Sequence, residues 1–362
     1  MAGFHVIGVM SGTSLDGLDL SYAHIFRERN KWRYELLQAR TLAYPEKLQV
    51  RLARAIDMSG LELSRLHADY GHFVGKSLKR FIQSNRISPD FAAVHGHTVF
   101  HQPRKGFGLQ IGDGAAMAAE SGITIVNDFR ATDLALGGQG APLVPVGDEL
   151  LFSEYDFCLN LGGISNISYR EKTGKRIAFD ISPCNMALNF YAGRLGMKYD
   201  ADGLLARSGC LLPTLKERLD ALPYYAALPP KSLGFEWFHD QFLPVTEQFA
   251  SQASVQDILH TITEHIATQI ARTCRQAKTK TKPGKKKTLL MTGGGALNIY
   301  LRERIEALCG MKAAAVDKKL VDYKESLIFA FLGVLRMQRR PNCLCSVTGA
   351  RRDNIGGAVY LP

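Results

Sequence analysis

The sequence has no uninterrupted apolar run of the roughly 20 residues that a helix needs to cross a bilayer, which argues against a transmembrane protein. The opening stretch, MAGFHVIGVMSGTS, has no basic flank, and its apolar part runs into glycine and serine instead of a cleavage-site pattern. We therefore expect residues 4–10 to form a buried first strand of a cytoplasmic protein that makes no membrane contact.

Closely spaced cysteines are few, with Cys343-Leu-Cys345 as the lone close pair, and common nucleotide motifs are missing. The seven cysteines are dispersed, and no CxxC pair occurs. This distribution argues against a disulfide framework and gives no support to a zinc site, so buried reduced thiols are expected. Neither the P-loop pattern nor GxGxxG is present, which argues against P-loop and Rossmann architectures.

Acidic residues are too few to balance the basic ones, and the formal net charge is +11. Six lysines lie in residues 278–287, and without them the net charge would be +5. This segment contains Pro283 and Gly284 but no aromatic residue on which a base could stack. Its composition favours a solvated loop and no nucleic-acid partner, while a patch for nucleic acid or a membrane surface is the open alternative.

Hydrophobic periodicity predicts alternating strands and helices in two successive halves. In the first half, strands are predicted at residues 4–10, 19–26, 32–41, 91–95 and 124–127, and helices at 45–57, 62–84 and 114–121. In the second half, strands are predicted at 157–161, 164–170, 176–180 and 288–292, and helices at 185–195, 255–275, 297–308 and 324–336. A loop is predicted after residue 95, and residues 128–145 are predicted to be an irregular hinge or crevice wall. The pattern favours a duplicated α/β fold with a cleft between its halves.

Three glycine-containing turns each follow a predicted strand. They are GVMSGTSLDGLD at residues 8–19, NLGGISN at 160–166 and TGGGALN at 292–298. Glycine lets backbone N–H groups approach a polyphosphate, and hydroxyl groups add neutral donors. A hairpin alone would explain any single turn, but three in series favour a bound nucleotide.

Nine blocks of sequence, in order, resemble the signature blocks of the anhydro-N-acetylmuramic acid kinase family. Together they extend from residue 10 to residue 350. The blocks are MSGTSLDGLD (10–19), HGHTVFHQP (95–103), LQIGDG (109–114), NDFRATDLALGGQGAPLVP (127–145), NLGGISNIS (160–168), YDADGLLARSG (199–209), TGGGALN (292–298), KESLIFAFLG (324–333) and SVTGA (346–350).

This resemblance implies an α/β fold of two ribonuclease-H-like (actin-like ATPase) domains with an interdomain cleft. Residues 1–148 would form the first domain with part of the sugar site. Residues 149–362 would form the second, with the catalytic aspartate and an adenosine motif, and its last helices are free to pack back on the first domain. The implied enzyme uses ATP and Mg²⁺ to convert the small-molecule anhydrosugar 1,6-anhydro-N-acetylmuramic acid into the 6-phosphate in bacterial cell-wall recycling. A homodimer is also implied.

The resemblance further implies that Asp180 is the catalytic base. It begins the block DISPCN at residues 180–185, where the family usually has DTGPGN. We expect Asp180, at a strand end facing the cleft, to deprotonate the water that opens the anhydro bridge. A simpler interpretation is an aspartate that caps the following helix. The departures within this block, and Asn189 where the family usually has Asp, indicate a subfamily variant.

The implied ATP-binding residues all lie in the three glycine turns. They are Gly12, Thr13, Ser14, Leu15, Asp16, Gly17, Leu18, Asp19, Gly162, Gly163, Ser165, Gly293, Gly294, Gly295 and Asn298. Asp16 and Asp19 would repel a phosphate directly, so we expect them beside Mg²⁺, through its water shell.

The implied sugar site consists of His97, Thr98, Arg130, Asn185 and Glu325. His97 replaces a family glutamine, and either side chain can donate to the substrate. Arg130 would bind the lactyl carboxylate with a bidentate fork, unless it forms a structural salt bridge with Asp128 or Asp133. Glu325 would reach the sugar, unless it only complements a helix dipole.

Two other functions stay open from the residues alone. One is a kinase of another anhydrosugar such as levoglucosan, which would not need Arg130. The other is a catalytically silent sugar or nucleotide sensor, suggested by the altered turn at residues 181–184. The segment KSLGFEW at residues 231–237 either rims the sugar pocket or is a surface packing motif.

Overall fold

The chain, in a computed structural model that describes residues 3–12, 15, 17–279 and 286–362, divides into two units. Unit 1 comprises Met1–Leu151 and Tyr323–Pro362, and unit 2 comprises Phe152–Asp322. Most of the lysine-rich segment at 278–287 lies outside the described residues, so its predicted loop stays a prediction. None of the described helices has both the length and the apolar composition needed to cross a bilayer.

Strands and helices alternate along both units. The strands are β1 (Gly3–Ser11), β2 (Leu18–Glu28), β3 (Lys31–Leu42), β4 (Phe91–Val94), β5 (His97–Gln102), β6 (Phe107–Ile111), β7 (Ile125–Asn127), β8 (Phe157–Leu161), β9 (Ile164–Arg170), β10 (Arg176–Pro183), β11 (Leu289–Thr292) and β12 (Ala358–Tyr360). The α-helices are α1 (Glu46–Ala53), α2 (Gly60–Asn85), α3 (Gly114–Ser121), α4 (Ala131–Ala135), α5 (Pro145–Leu150), α6 (Asn185–Gly193), α7 (Leu204–Ser208), α8 (Pro213–Asp220), α9 (Phe235–Trp237), α10 (Leu243–Glu247), α11 (Val255–Gln276), α12 (Ile299–Cys309), α13 (Lys318–Met337) and α14 (Cys345–Thr348). Short 3₁₀ turns lie at Ala55–Asp57, Pro103–Lys105, Ala201–Gly203, Pro223–Ala226 and Gly294–Leu297, and a π-helical turn lies at Phe238–Phe242.

Unit 1 is built on a six-stranded sheet in the order β12-β7-β4-β1-β2-β3. β1 pairs antiparallel with β2 and parallel with β4, and β7 continues the parallel side. The apolar run of β1 is buried, as a central strand requires. A Cβ at Gly8 would lie 1.8 Å from the carbonyl oxygen of Ser326, so only glycine lets α13 pack directly on this strand.

The last part of the chain belongs to unit 1. β12 pairs antiparallel with β7, and Phe331 of α13 meets the Trp32 ring edge to face at 5.2 Å. Residues 323–362 therefore belong to unit 1, because they supply an edge strand and a core helix to its sheet. The second unit ends at Asp322 instead of extending to residue 362.

Unit 2 repeats the same plan on a smaller sheet, in the order β10-β9-β8-β11. β8, β9 and β10 form an antiparallel meander, and β11 is parallel to β8. The long helix α11 begins at the N-cap Ser254, whose side chain accepts a hydrogen bond from the Asp257 amide. Ile262, Ile266 and Ile270 of this helix are fully buried in the core. Each unit thus has the ribonuclease-H-like arrangement of an antiparallel meander extended by parallel strands.

Two segments predicted to be irregular contain regular structure in unit 1. The prediction of a loop after residue 95 is wrong, because β5 and β6 form an antiparallel hairpin there. The register shifts between Thr98 and Phe100, which interrupts the alternation by which a strand is recognised. Within the hinge predicted at residues 128–145, α4 forms a short helix. The predicted strands at 4–10, 19–26 and 32–41 are confirmed as β1 to β3.

Candidate active site

The parallel strands of unit 1 end along one edge of its sheet, where predicted site residues follow them. β1 ends at Ser11, β4 at Val94 and β7 at Asn127. Because these strands are parallel, the loops at their carboxyl ends lie side by side, as ligand-binding loops do in α/β sheets. They carry the first glycine turn, the loop at residues 95–97 and the loop of Arg130.

His97 belongs to a buried chain of polar side chains. Its Nδ1 lies 3.4 Å from the Ser11 hydroxyl, which accepts a hydrogen bond of 2.7 Å from the Tyr44 hydroxyl. Burial lowers the pKa of His97, so the imidazole is neutral at neutral pH. Beside it, the Thr98 hydroxyl accepts a hydrogen bond of 3.4 Å from the Gln110 amide.

Arg130 is held by neutral partners. Its Nη1 donates to the Gly140 carbonyl at 2.6 Å, and its Nη2 donates to His95 Nε2 at 2.8 Å. Burial, followed by the charge of Arg130, lowers the pKa of His95 to about 3, which keeps that nitrogen an acceptor. Burial lowers the pKa of Arg130 to about 10, so the guanidinium remains charged at neutral pH. Three of its five N–H groups at most are used, which leaves donors for a ligand.

The salt bridge considered between Arg130 and Asp133 is not formed. The Asp133 carboxylate is fully buried and is satisfied by other donors. Oδ2 accepts from the Gly140 amide at 2.8 Å, and Oδ1 accepts from Thr348 Oγ1 and Asn354 Nδ2, both at 2.8 Å. Asp133 therefore fixes the loop whose Gly140 carbonyl orients Arg130.

Glu325 shares a charged neighbourhood with Arg130 and Asp19. Burial raises the pKa of Glu325, Lys324 lowers it, Asp19 raises it and Arg130 lowers it. Asp19 Oδ1 accepts a hydrogen bond of 2.6 Å from the Thr41 hydroxyl. The structure thus brings together three of the predicted charged site residues in unit 1.

The first glycine turn is only partly described. The Leu15 amide lies 3.4 Å from the Gly12 carbonyl, and the Leu15 carbonyl accepts from Gln49 Nε2 at 2.8 Å. Leu18, predicted to be near ATP, begins β2 and pairs with Ser11 of β1. Its side chain is fully buried in the core, so we do not assign it to the ligand. Three predicted residues of this turn lie outside the described residues: Thr13, Ser14 and Asp16.

The two glycine turns of unit 2 follow parallel neighbours, β8 and β11. A Cβ at Gly162 would meet no atom closer than 3.5 Å, and one at Gly163 none closer than 3.9 Å. This open space beside the backbone is what a phosphate group needs. Gly293 has φ +81°, and a Cβ there would lie 2.5 Å from Asn160 Oδ1, so the third turn requires glycine.

Asn185, Asn298 and Ser165, three polar residues predicted for the site, make contacts of different kinds in unit 2. Asn185 Nδ2 donates to the Leu161 carbonyl at 2.9 Å, which sets this residue among the glycine turns. Asn298 caps α12 through a hydrogen bond of 2.9 Å from the Leu301 amide. Ser165 is fully buried, and its hydroxyl bonds Ser182 at 3.0 Å, so we do not assign it to ATP.

Asp180 lies within β10 at a β-bulge, not at the strand end that was predicted. The register with β9 shifts between Asp180 and Ser182. Its capping of the next helix is also excluded, because the N-cap of α6 is Cys184, with no side-chain hydrogen bond. Asp180 Oδ2 accepts from the Leu233 amide at 2.9 Å, and within the described residues Oδ1 accepts no hydrogen bond. Burial raises the pKa of Asp180, although the Leu233 amide lowers it.

Sequence reasoning missed the side chain that bonds Asp180 directly. The Tyr224 hydroxyl donates to the Asp180 carbonyl at 2.6 Å. Lys231, considered above as part of a pocket rim or a packing motif, lies over the Tyr224 ring at 4.5 Å. No local pattern signals these contacts, because Tyr224 is 44 residues away along the chain.

Among the residues that the structure describes, no cluster of three His, Cys, Asp or Glu side chains has a metal-binding arrangement. Asp19 and Glu325 nevertheless interact electrostatically, and carboxylate oxygens are ligands of the kind that Mg²⁺ takes. The two carboxylates therefore fit a hydrated Mg²⁺.

The two α/β units, each an antiparallel meander extended by parallel strands with glycine turns at strand ends, have the actin-like fold that the sequence predicted. The sequence pattern of the family described as anhydro-N-acetylmuramic acid kinase matches residues 4–362. The chain belongs to this family.

Curated relatives cover nearly the whole chain. The anhydro-N-acetylmuramic acid kinase of Mannheimia succiniciproducens is 36% identical, with 98% of each chain covered. The proteins of the same name from Gloeobacter violaceus and Vibrio cholerae are 36% and 34% identical, again with 98% of each chain covered.

Proposed function

We propose that this protein is an ATP-dependent kinase that opens the 1,6-anhydro ring of anhydro-N-acetylmuramic acid with water and phosphorylates O6. The product is N-acetylmuramic acid 6-phosphate, and the reaction serves bacterial cell-wall recycling. The observation that carries this proposal is family membership over residues 4–362, a range that includes every candidate site residue. Neither the levoglucosan kinase nor the silent sensor is favoured, since the three relatives described above carry the name anhydro-N-acetylmuramic acid kinase.

In the proposed reaction, Asp180 Oδ1 accepts a proton from water as its oxygen bonds to C1 of the sugar. The C1–O6 bond breaks, O6 bonds to the γ-phosphorus of ATP, and ADP leaves with the electrons of the broken P–O bond. Asp180 is suited to this role because one carboxylate oxygen is fixed by Leu233 and the other has no partner among the described residues. Its raised pKa also makes it a stronger base than an ordinary aspartate.

The nucleotide is assigned to the glycine turns. Gly162, Gly163 and the turn of Gly293 would present backbone N–H groups to the phosphates, with Asn185 fixing the turn geometry. Mg²⁺, when bound, would neutralise the charge that develops on the phosphates. Asp19, together with Asp16, would hold it through water.

The sugar is assigned to residues of unit 1. Arg130 would bind the lactyl carboxylate with its remaining N–H groups, since a guanidinium offers two parallel donors to a carboxylate. Neutral His97 and Thr98 would donate to the sugar's polar groups, and Glu325 would accept from a hydroxyl. The use of ATP puts the reaction in the cytoplasm in this proposal, and the enzyme is proposed to act as a homodimer without a nucleic-acid partner.

A coupled assay of ADP release tests the proposal, with 1,6-anhydro-N-acetylmuramic acid and levoglucosan offered separately. We expect release with the first sugar and little with the second, because only the first has a carboxylate for Arg130. Asp180→Asn should lower turnover by at least about 100-fold while ATP binding, measured by calorimetry, stays near wild type. Equal rates with both sugars, or full turnover in the variant, would contradict the proposal.

A further inference from the structure

Asp180 lies on the outer edge of the unit 2 sheet, where a strand has no neighbouring strand to bond. β10 is the first strand in the order β10-β9-β8-β11, so it pairs only with β9. Backbone groups on the outer side of such a strand need other partners. At Asp180, Tyr224 and Lys231 of the same unit supply these partners. The Asp180 amide lies 3.4 Å from the Lys231 carbonyl, and its carbonyl accepts the Tyr224 hydroxyl at 2.6 Å.

Because Asp180 lies at a β-bulge, its orientation depends on these hydrogen bonds to Lys231 and Tyr224. The register shift between Asp180 and Ser182 leaves Ile181 without a partner on β9. A bulged strand bends at that point, and the bend changes the direction of the neighbouring side chains. The direction of the Asp180 carboxylate therefore depends on the groups that hold its backbone from outside the sheet.

We propose that Tyr224 is a positioning residue for the reaction. Through its hydrogen bond to the Asp180 carbonyl, it keeps the Asp180 carboxylate against the Leu233 amide, with the second oxygen directed away from that contact. This inference rests on the proposed function, because Tyr224 acts only through Asp180. It assigns Tyr224 no contact with the substrate.

Tyr224 is itself held from several sides. The Lys231 ammonium lies 4.5 Å from the centre of its ring and donates to its carbonyl at 3.1 Å. The Trp237 ring packs at 5.3 Å. The hydroxyl of the next residue, Tyr225, lies 2.9 Å from Nε2 of His265. The hydroxyl that reaches Asp180 therefore projects from a fixed turn.

That turn is tied to the helical layer of unit 2. His265 of α11 is fully buried, and its Nδ1 lies 2.6 Å from Asp220 Oδ1 at the end of α8. Asp220 also accepts from Lys216 Nζ at 2.6 Å and from Gln269 Nε2 at 2.9 Å. A catalytic side chain keeps its geometry when such a network supports it from rigid elements.

The test is Tyr224→Phe, which keeps the ring and deletes only the hydroxyl. We expect kcat with 1,6-anhydro-N-acetylmuramic acid to fall about tenfold, since small misplacements of a reacting group are costly. The KM for ATP should not change. The acid limb of the kcat/KM profile should move to higher pH, because a looser Asp180 partly loses the Leu233 amide that lowers its pKa.

A matched control is Tyr191→Phe in the same unit. It removes a tyrosine hydroxyl that donates to Glu247 at 2.6 Å and does not touch Asp180. We expect a similar change in melting temperature, with kcat and the acid limb unchanged. Lys231→Met is a second probe if Tyr224→Phe folds poorly, because it loosens the Tyr224 ring and leaves the hydroxyl in place. It should change kcat in the same direction by a smaller factor.

The outcomes separate the two proposals. Wild-type kcat and an unmoved acid limb in both Tyr224→Phe and Lys231→Met, with Asp180→Asn inactive, would overturn the positioning role and leave the proposed function intact. An equal loss of kcat in Tyr191→Phe would also overturn it, since the effect would then be general destabilisation. Full turnover in Asp180→Asn would instead refute the base assignment itself.

Discussion

The Asp180 carboxylate is half-buried and, in the described part of the chain, accepts a single hydrogen bond, from the Leu233 amide. These surroundings should make the activity of the enzyme depend on pH. Burial raises the pKa of Asp180 above the ordinary aspartate value of about 3.9. A protonated carboxyl group cannot accept the proton of water, so activity should be lost as the pH falls through that raised value. We expect the acid limb of kcat/KM to lie above that ordinary value, and an acid limb at or below it would contradict this.

The guanidinium of Arg130 leads to a second prediction about a single residue. Arg130→Lys keeps a charge but cannot offer two parallel donors, so KM for the lactyl-bearing sugar should rise about tenfold. An anhydrosugar without the lactyl group should be affected little. Arg336→Lys is a matched control, because Arg336 also donates to a backbone carbonyl of unit 1, that of Gly357 at 2.6 Å. Equal effects of Arg130→Lys on both sugars would show that Arg130 does not recognise the carboxylate.

Sequence patterns identified some residues of the candidate site but not what holds them in place. Arg130, Glu325 and Asp19 were predicted one at a time from sequence blocks, and the fold gives them a common charged neighbourhood. Ser165 and Leu18 fit the same blocks, yet their side chains are buried. A sequence block fixes residue types, whereas the direction in which each side chain points depends on strand pairing and register.

At the scale of elements, the loop between α4 and α5 depends on one carboxylate. Asp133→Asn replaces an acceptor oxygen by an N–H donor and leaves at least one buried partner unsatisfied. We expect a loss of about 2–3 kcal/mol in the free energy of unfolding of unit 1, measured by urea denaturation. Thr348→Val, which removes one of the donors to Asp133, should cost less. A wild-type denaturation midpoint for Asp133→Asn would contradict this prediction.

The loop between α4 and α5 should also affect substrate binding, because it holds Arg130. The Gly140 amide donates to Asp133 and the Gly140 carbonyl accepts from Arg130, so one residue connects the buried carboxylate to the predicted carboxylate-binding arginine. Strands with clear alternation, such as β2 and β3, were predictable from sequence. The hairpin β5–β6 and the outer contacts of β10 were not, since they depend on a bulge and on partners distant in sequence.

At the scale of the whole molecule, the excess positive charge is concentrated in residues 278–287. Replacing its six lysines by glutamine would lower the net charge from +11 to +5. We expect turnover to be unchanged, and we expect no segment-dependent retention on heparin at physiological salt. Salt-sensitive retention that disappears on replacement would instead favour a polyanion-binding surface. Replacing six lysines elsewhere on the surface provides the matched control for net charge.

The α/β class was predictable because strand-like and helix-like periodicity alternate along the chain, whereas periodicity by itself did not give the duplication. The resemblance left the last helices free to pack back on the first domain, and residues 323–362 join unit 1 through packing between segments far apart in sequence. Gly8 beneath Ser326 shows this dependence, since its small size matters only once α13 crosses β1. The chemistry of the whole enzyme can therefore be tested only on the complete chain.

The most direct measurement follows oxygen during turnover in H₂¹⁸O with ATP and 1,6-anhydro-N-acetylmuramic acid. Mass spectrometry of product quenched early, before the anomeric oxygen exchanges with solvent, should find ¹⁸O at C1 and none in the phosphoryl group. Both halves of the proposed reaction would then be visible in one molecule. A phosphorylated sugar that retains its anhydro ring, or ¹⁸O in the phosphoryl group, would contradict it.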